Sequence, residues 1–150
     1  MDENKLEKID KNLELESRAL QLINAGKMNE AKDIYIDLIE KGTNNHIVYG
    51  NLATLYGIEG RNKEMIKLLQ KSLKIEPKYS LGYNNLGLAL QKDKDLNSAI
   101  KSFKKAIKLK PNYSEAYSNL GLAMYQNSQF EEAIESYKAA LKIDPKNFLA

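Results

Sequence analysis

Residues 114–147 read SEAYSNLGLAMYQNSQFEEAIESYKAALKIDPKN, and two stripes of apolar and small side chains run through them at helical spacing. Tyr117, Leu120, Gly121 and Met124 form the first stripe; Phe130, Ala133, Ile134, Tyr137, Ala140 and Leu141 form the second. The spacing predicts two amphipathic helices joined by a short turn. Pro145 closes the unit, because its ring nitrogen has no hydrogen for a further turn of helix. The preceding stretch, 80–113, repeats the pattern with Tyr83, Leu86, Gly87 and Leu90, then Leu96, Ala99, Ile100, Phe103, Ala106 and Ile107. Pro77, Pro111 and Pro145 stand 34 residues apart, so the period extends along the chain. Four rows follow, 12–45, 46–79, 80–113 and 114–147, with a leader at 1–11 and the start of an unfinished repeat at 148–150.

The whole chain has 150 residues, 43% of them hydrophobic and 29% charged, which is the composition of one folded body spanning 1–150 and not of a disordered tail. It has no cysteine, which excludes disulfides, thiolate zinc sites and cysteine nucleophiles. The one histidine, His46, lies beside Asn44 and Asn45 and reads as a turn residue, since a metal site needs several donors. Neither phosphate-binding glycine motif occurs, and Glu131, Glu132 and Glu135 read as solvated charge. No enzyme activity, cofactor or metal is expected. The opening lacks a basic end followed by an apolar run, and no segment of about 18 residues is free of charge. A cytoplasmic protein with no membrane span is therefore expected.

A 34-residue period with an aromatic, a Leu-Gly pair, an alanine and aromatic ladder and a closing proline resembles the tetratricopeptide repeat. The second row keeps Tyr49, Leu52, Ala53, Tyr56, Leu69 and Pro77 but has Met65 and Ser72 at two alanine positions. The first keeps Ala19, Leu22, Gly26, Ala31 and Tyr35, with Arg18 at a leucine position and Thr43 at the proline position. The resemblance implies an all-α fold, a right-handed α-solenoid of antiparallel helix pairs. The first helix of each pair would line a concave groove and the second would form the convex back. Leu6, Ile9 and Leu13 in the leader predict that the first helix extends backwards by about two turns.

On that geometry positions 2, 5, 6, 9, 12 and 13 of each row face the groove. Position 6 is Ser17, Asn51, Asn85 and Asn119, a ladder of amides that can bind a peptide backbone without reading its side chains. The candidate groove residues are Asn51, Asn84, Asn85, Leu88, Asn119, Leu122, Tyr125 and Gln126, with Tyr125 as the aromatic anchor. Gly50 and Gly57 leave the second row without side chains at positions 5 and 12, which implies a close backbone approach, a local flex point or tolerated drift. The lysine, arginine and asparagine set with which one subset of the family grips a C-terminal carboxylate is matched at Asn51 alone.

Lysines cluster on the outer faces of two second helices, Lys63, Lys67, Lys71 and Lys74, then Lys101, Lys104, Lys105 and Lys108. They lack interleaved aromatics for base stacking and read as a solvated back, not as a nucleic-acid surface. The resulting expectation is a non-enzymatic scaffold that holds an extended protein or peptide segment in its groove. One alternative is the N-terminal substrate-guiding arm of a larger transferase-type enzyme. The other is self-assembly through the last helix pair, which would leave apolar surface at 129–142 uncovered and so available to a second copy.

Overall fold

The computed structural model describes residues 3–146; residues 148–150, read as the start of a further repeat, lie outside the described residues. These fold into eight α-helices without a strand: α1 (Glu3–Asn24), α2 (Met28–Glu40), α3 (His46–Ile58), α4 (Asn62–Ile75), α5 (Ser80–Lys92), α6 (Leu96–Leu109), α7 (Ser114–Gln126) and α8 (Phe130–Ile143). The first helix has 22 residues where α3, α5 and α7 have 13. The helices α4, α6 and α8 each end two residues before a proline. The intervening Glu76, Lys110 and Asp144 are extended, with φ of −126°, −134° and −135°, as a pre-proline residue requires. The helix α2 ends differently. Gly42 takes the left-handed conformation, with φ 79°, and Thr43, at the proline position of its row, is buried with its carbonyl accepting from the Tyr49 hydroxyl (3.2 Å).

Inside each pair the turn is the same. Gly26, Gly60, Lys94 and Ser128 occupy the left-handed region with φ of 77°, 77°, 63° and 60°, and they recur every 34 residues. The next residue's N–H closes each helix end by reaching back five positions, Lys27 to Leu22, Arg61 to Tyr56, Asp95 to Leu90 and Gln129 to Met124, which satisfies carbonyls the helix would otherwise leave open. Only glycine meets this conformation without a steric penalty from its Cβ. Lys94→Gly and Ser128→Gly are therefore each expected to raise folding stability by about 1 kcal/mol, measured as a shift of the urea unfolding midpoint at unchanged slope.

The pairs interlock by size. Gly87 faces Phe103, and a Cβ built on it would come within 2.5 Å of that ring; one on Gly121 would come within 2.8 Å of Tyr137. The same two positions are filled by Ala53 with Leu69 and by Ala19 with Tyr35, and both pairs are buried within their respective cores. In the third and fourth repeats the missing methyl makes room for an aromatic ring, in the second alanine faces the smaller Leu69, and the first holds Tyr35 beside Ala19. Consecutive helices pack along the whole chain, and α5 and α7 also meet directly, whereas no two even-numbered helices approach as closely. Curvature is thereby directed to the odd-numbered side, and α1, α3, α5 and α7 line the concave face of a right-handed α-solenoid.

Candidate functional site: the concave groove

Large apolar side chains stay exposed on the concave helices in two rows. Leu13, Ile47 and Leu81 form one, and Leu20, Leu88 and Leu122 the other. A monomeric protein rarely leaves such a set uncovered without a binding role. Tyr125, at 59% exposure, stands at the far end with its ring edge-on to Phe130 at 5.6 Å. On α8, Phe130, Ile134 and Leu141 are exposed as well.

The asparagines of the ladder have different fates, and each fate is set by a neighbour in the adjoining repeat. Asn51 donates from Nδ2 to the Tyr35 hydroxyl at 3.0 Å; burial pushes that phenol above its ordinary range, against the hydrogen bond with Asn51. Asn119 is almost wholly buried and donates from Nδ2 to Asn84 Oδ1 at 3.1 Å. Asn84 has no exposed surface at all, and its own Nδ2 donates to Glu115 Oε1 at 3.4 Å. Beside them the Tyr113 hydroxyl is pushed up to about 12, by burial first, then by the negative charge of Glu115 and by Tyr79, with a hydrogen bond to Asn84 working the other way. Asn84 and Asn119 are therefore structural amides in a buried polar network, not free groups on the groove surface, because a buried amide must find partners inside the protein. Gln126 is likewise tied, accepting at Oε1 from Gln91 Nε2 (2.8 Å).

Two of these ties follow one rule. A side chain at position 5 or 12 of one row meets the side chain at position 6 or 13 of the next, 35 residues on, as Asn84 meets Asn119 and Gln91 meets Gln126. Applied one row earlier, the rule pairs Asn85 with Gly50 and Lys92 with Gly57. Both partners lack a side chain. Asn85 and Lys92 accordingly make no side-chain hydrogen bond or ion pair among the described residues. Sequence reasoning singled out Asn85 for its place in the ladder and placed Lys92 toward the far end of the groove without making it a candidate; the two glycines were the signal that both would be free. They differ in their surroundings, since a Cβ on Gly57 would come within 2.7 Å of Met65 Sδ whereas one on Gly50 would make ordinary contact with Tyr79 at 3.6 Å.

Between α3 and α5, beside Gly57, lies a cavity of about 350 Å³. Thr54 and Ile58 form one wall, Asn85, Leu88 and Lys92 the other, and Met65 and Ala89 the floor. Asn62 braces the floor by donating from Nδ2 to Ala89 O (2.9 Å), which leaves its buried Oδ1 without a partner. The Thr54 hydroxyl is already spent on Gly50 O (3.1 Å). The open polar groups of the cavity are thus the Asn85 amide and the Lys92 ammonium on its walls and the buried Asn62 Oδ1 in its floor, on an otherwise apolar lining. No group of three or more potential metal ligands gathers among the described residues, and none of the described helices is long and apolar enough to cross a membrane.

Four stacked helix pairs with an apolar, amide-bearing inner groove define an α-solenoid repeat protein. The chain belongs to the tetratricopeptide-repeat family, whose sequence profiles match residues 47–79, 68–101, 92–128 and 114–147. Among solved structures it is similar to a crystal structure of MamA, with 25% identity and a TM-score of 0.84 over 95% of this chain and 85% of that one. It is similar in fold to YrrB, described as a TPR protein with an unusual peptide-binding site, at 21% identity and a TM-score of 0.80 over 87% and 68% of the two chains. It also resembles the first TPR of Spaghetti (RPAP3) bound to the HSP90 peptide SRMEEVD, at 26% identity and a TM-score of 0.69 over 70% and 83%. No curated protein sequence matches it.

Proposed function

We propose that this protein is a non-enzymatic interaction scaffold that holds an extended segment of a partner protein in its concave groove. The observation that carries this reading is the double row of exposed aliphatic side chains flanking the unpaired Asn85 amide. Aliphatic side chains supply affinity by leaving water, about 25 cal/mol per Å² buried, and the amide can bind one peptide N–H or C=O of any sequence. The peptide held by the similar RPAP3 repeat supports the reading.

The test selects binders from a random dodecapeptide phage library on the full chain and maps one of them by amide NMR. Perturbed signals are expected at Asn85, Leu88 and Leu122. Signals confined to the lysine-rich outer faces of α4 and α6, or to α8, would overturn the assignment. Leu88→Ala is expected to weaken the selected peptide about tenfold, from the roughly 1–2 kcal/mol that a partly buried leucine contributes, with helicity unchanged.

A further inference from the structure

We infer that the centre of the groove selects segments in which an acidic side chain lies within about three residues of an aliphatic one. The inference rests on the reading of the groove as a peptide site and adds the chemistry it prefers. Three charged side chains occupy groove positions, Glu16, Lys92 and Glu115. Glu16 accepts from Asn45 Nδ2 at 2.7 Å, and Glu115 accepts from the buried Asn84. Lys92 has no such partner among the described residues, because Gly57 stands where its neighbour in the adjoining repeat would be. An unpaired cation on the rim of an apolar cavity attracts a carboxylate and repels a basic segment, and the low-dielectric wall beside it strengthens both effects.

Geometry sets the spacing. Asn85, Leu88 and Lys92 lie at i, i+3 and i+7 on α5, on one face of the helix. Seven residues of helix span about 10 Å, which is also the length of about three residues of extended chain. A peptide whose backbone bonds Asn85 can seat one aliphatic side chain against Leu88 and Ile58 and still bring a side-chain carboxylate to Lys92. The groove continues past Lys92 to Gln126 and Tyr125, so the carboxylate is expected from within a segment and not from a chain end.

The experiment uses the dodecapeptide library displayed with its C-terminus fused, so that every carboxylate offered comes from a side chain. Peptides selected on the wild-type chain are expected to carry Asp or Glu within three residues of Leu, Ile, Val or Met more often than the unselected library. On Lys92→Glu the acidic preference should give way to Lys or Arg. On Lys92→Gln, which places here the residue the next repeat carries as Gln126, it should vanish without reversing. A wild-type-selected synthetic peptide should lose about fivefold in affinity for Lys92→Gln, the scale of one partly exposed ion pair. Lys92 is exposed, so both variants should fold, as circular dichroism would verify. Selected peptides with no acidic preference that still perturb Asn85 and Leu88 would overturn this inference and leave the peptide-groove reading standing. Selected peptides that bind away from the groove would overturn both.

Discussion

Phe103→Ala is expected to lower folding stability by about 4 kcal/mol, close to half of what a domain of this size commonly has. The ring is completely buried, and it packs against the core formed by Ala99, Ile100, Leu120, Ala123, Met124 and Ala133. Truncation would therefore empty a space shared by the third and fourth repeats. The reverse error is about half as damaging. Gly87→Ala would drive a methyl to 2.5 Å from a ring that has nowhere to go, and overpacking of this kind costs about 2 kcal/mol even after alanine's better helix propensity is counted.

The second repeat shows how the two changes compensate, since it fills the same positions with Ala53 and Leu69. Gly87→Ala combined with Phe103→Leu should consequently be less damaging than the sum of the single changes by about 1–2 kcal/mol. Urea unfolding followed by far-ultraviolet circular dichroism measures all four members of the cycle. Strict additivity would mean that the two residues do not share the space described. Gly50→Ala is the control: its Cβ would meet only ordinary contacts, so a gain of about 0.5–1 kcal/mol from helix propensity is expected.

Alkaline pH should expose the buried polar network. The Tyr113 phenol titrates near 10 when unfolded and is pushed up to about 12 in the folded chain. A raised pKa means that the folded state favours the protonated phenol. Its contribution to stability is complete below pH 10 and is lost as the pH rises through about 12. A shift of about two pKa units corresponds to roughly 2–3 kcal/mol. Tyr35, Tyr79 and Tyr137 are raised for the same first reason, burial, and act in the same direction. The contribution of Tyr113 is isolated by comparing the wild type with Tyr113→Phe between pH 9 and 12. The wild type should lose stability relative to the variant across that window, whereas the Tyr113–Asn84 hydrogen bond removed by the substitution is a constant offset. A pH-independent difference would rule out Tyr113 as the source.

Most of the helical architecture can be read from residue spacing, because helix ends are local chemistry. Pro77, Pro111 and Pro145 stop α4, α6 and α8 through their own covalent structure. Gly42 was the exception: it ends α2 without a proline, and only its backbone conformation reveals that. The groove was legible in part. A repeat period of 34 places Asn51, Asn85 and Asn119 along one surface, but the contact that decides their roles is offset by one further residue. Whether an amide faces a peptide or the protein interior thus depends on its neighbour in the adjoining repeat, which is Tyr35 for Asn51, Gly50 for Asn85 and Asn84 for Asn119. No property of an asparagine considered alone distinguishes Asn85, which is free, from Asn119, which is committed to Asn84.

The same offset has a mechanical side. Asn84 with Asn119 and Gln91 with Gln126 act as struts across the inner edge of the third and fourth repeats, and the glycines omit both struts at the seam before it. A curved rod braced at one joint and unbraced at the next bends where the bracing stops. Flexural strain imposed by a bulky or stiff occupant should therefore be taken up between α3 and α5, at mid-length, with little distortion of the rigid block formed by α5 to α8.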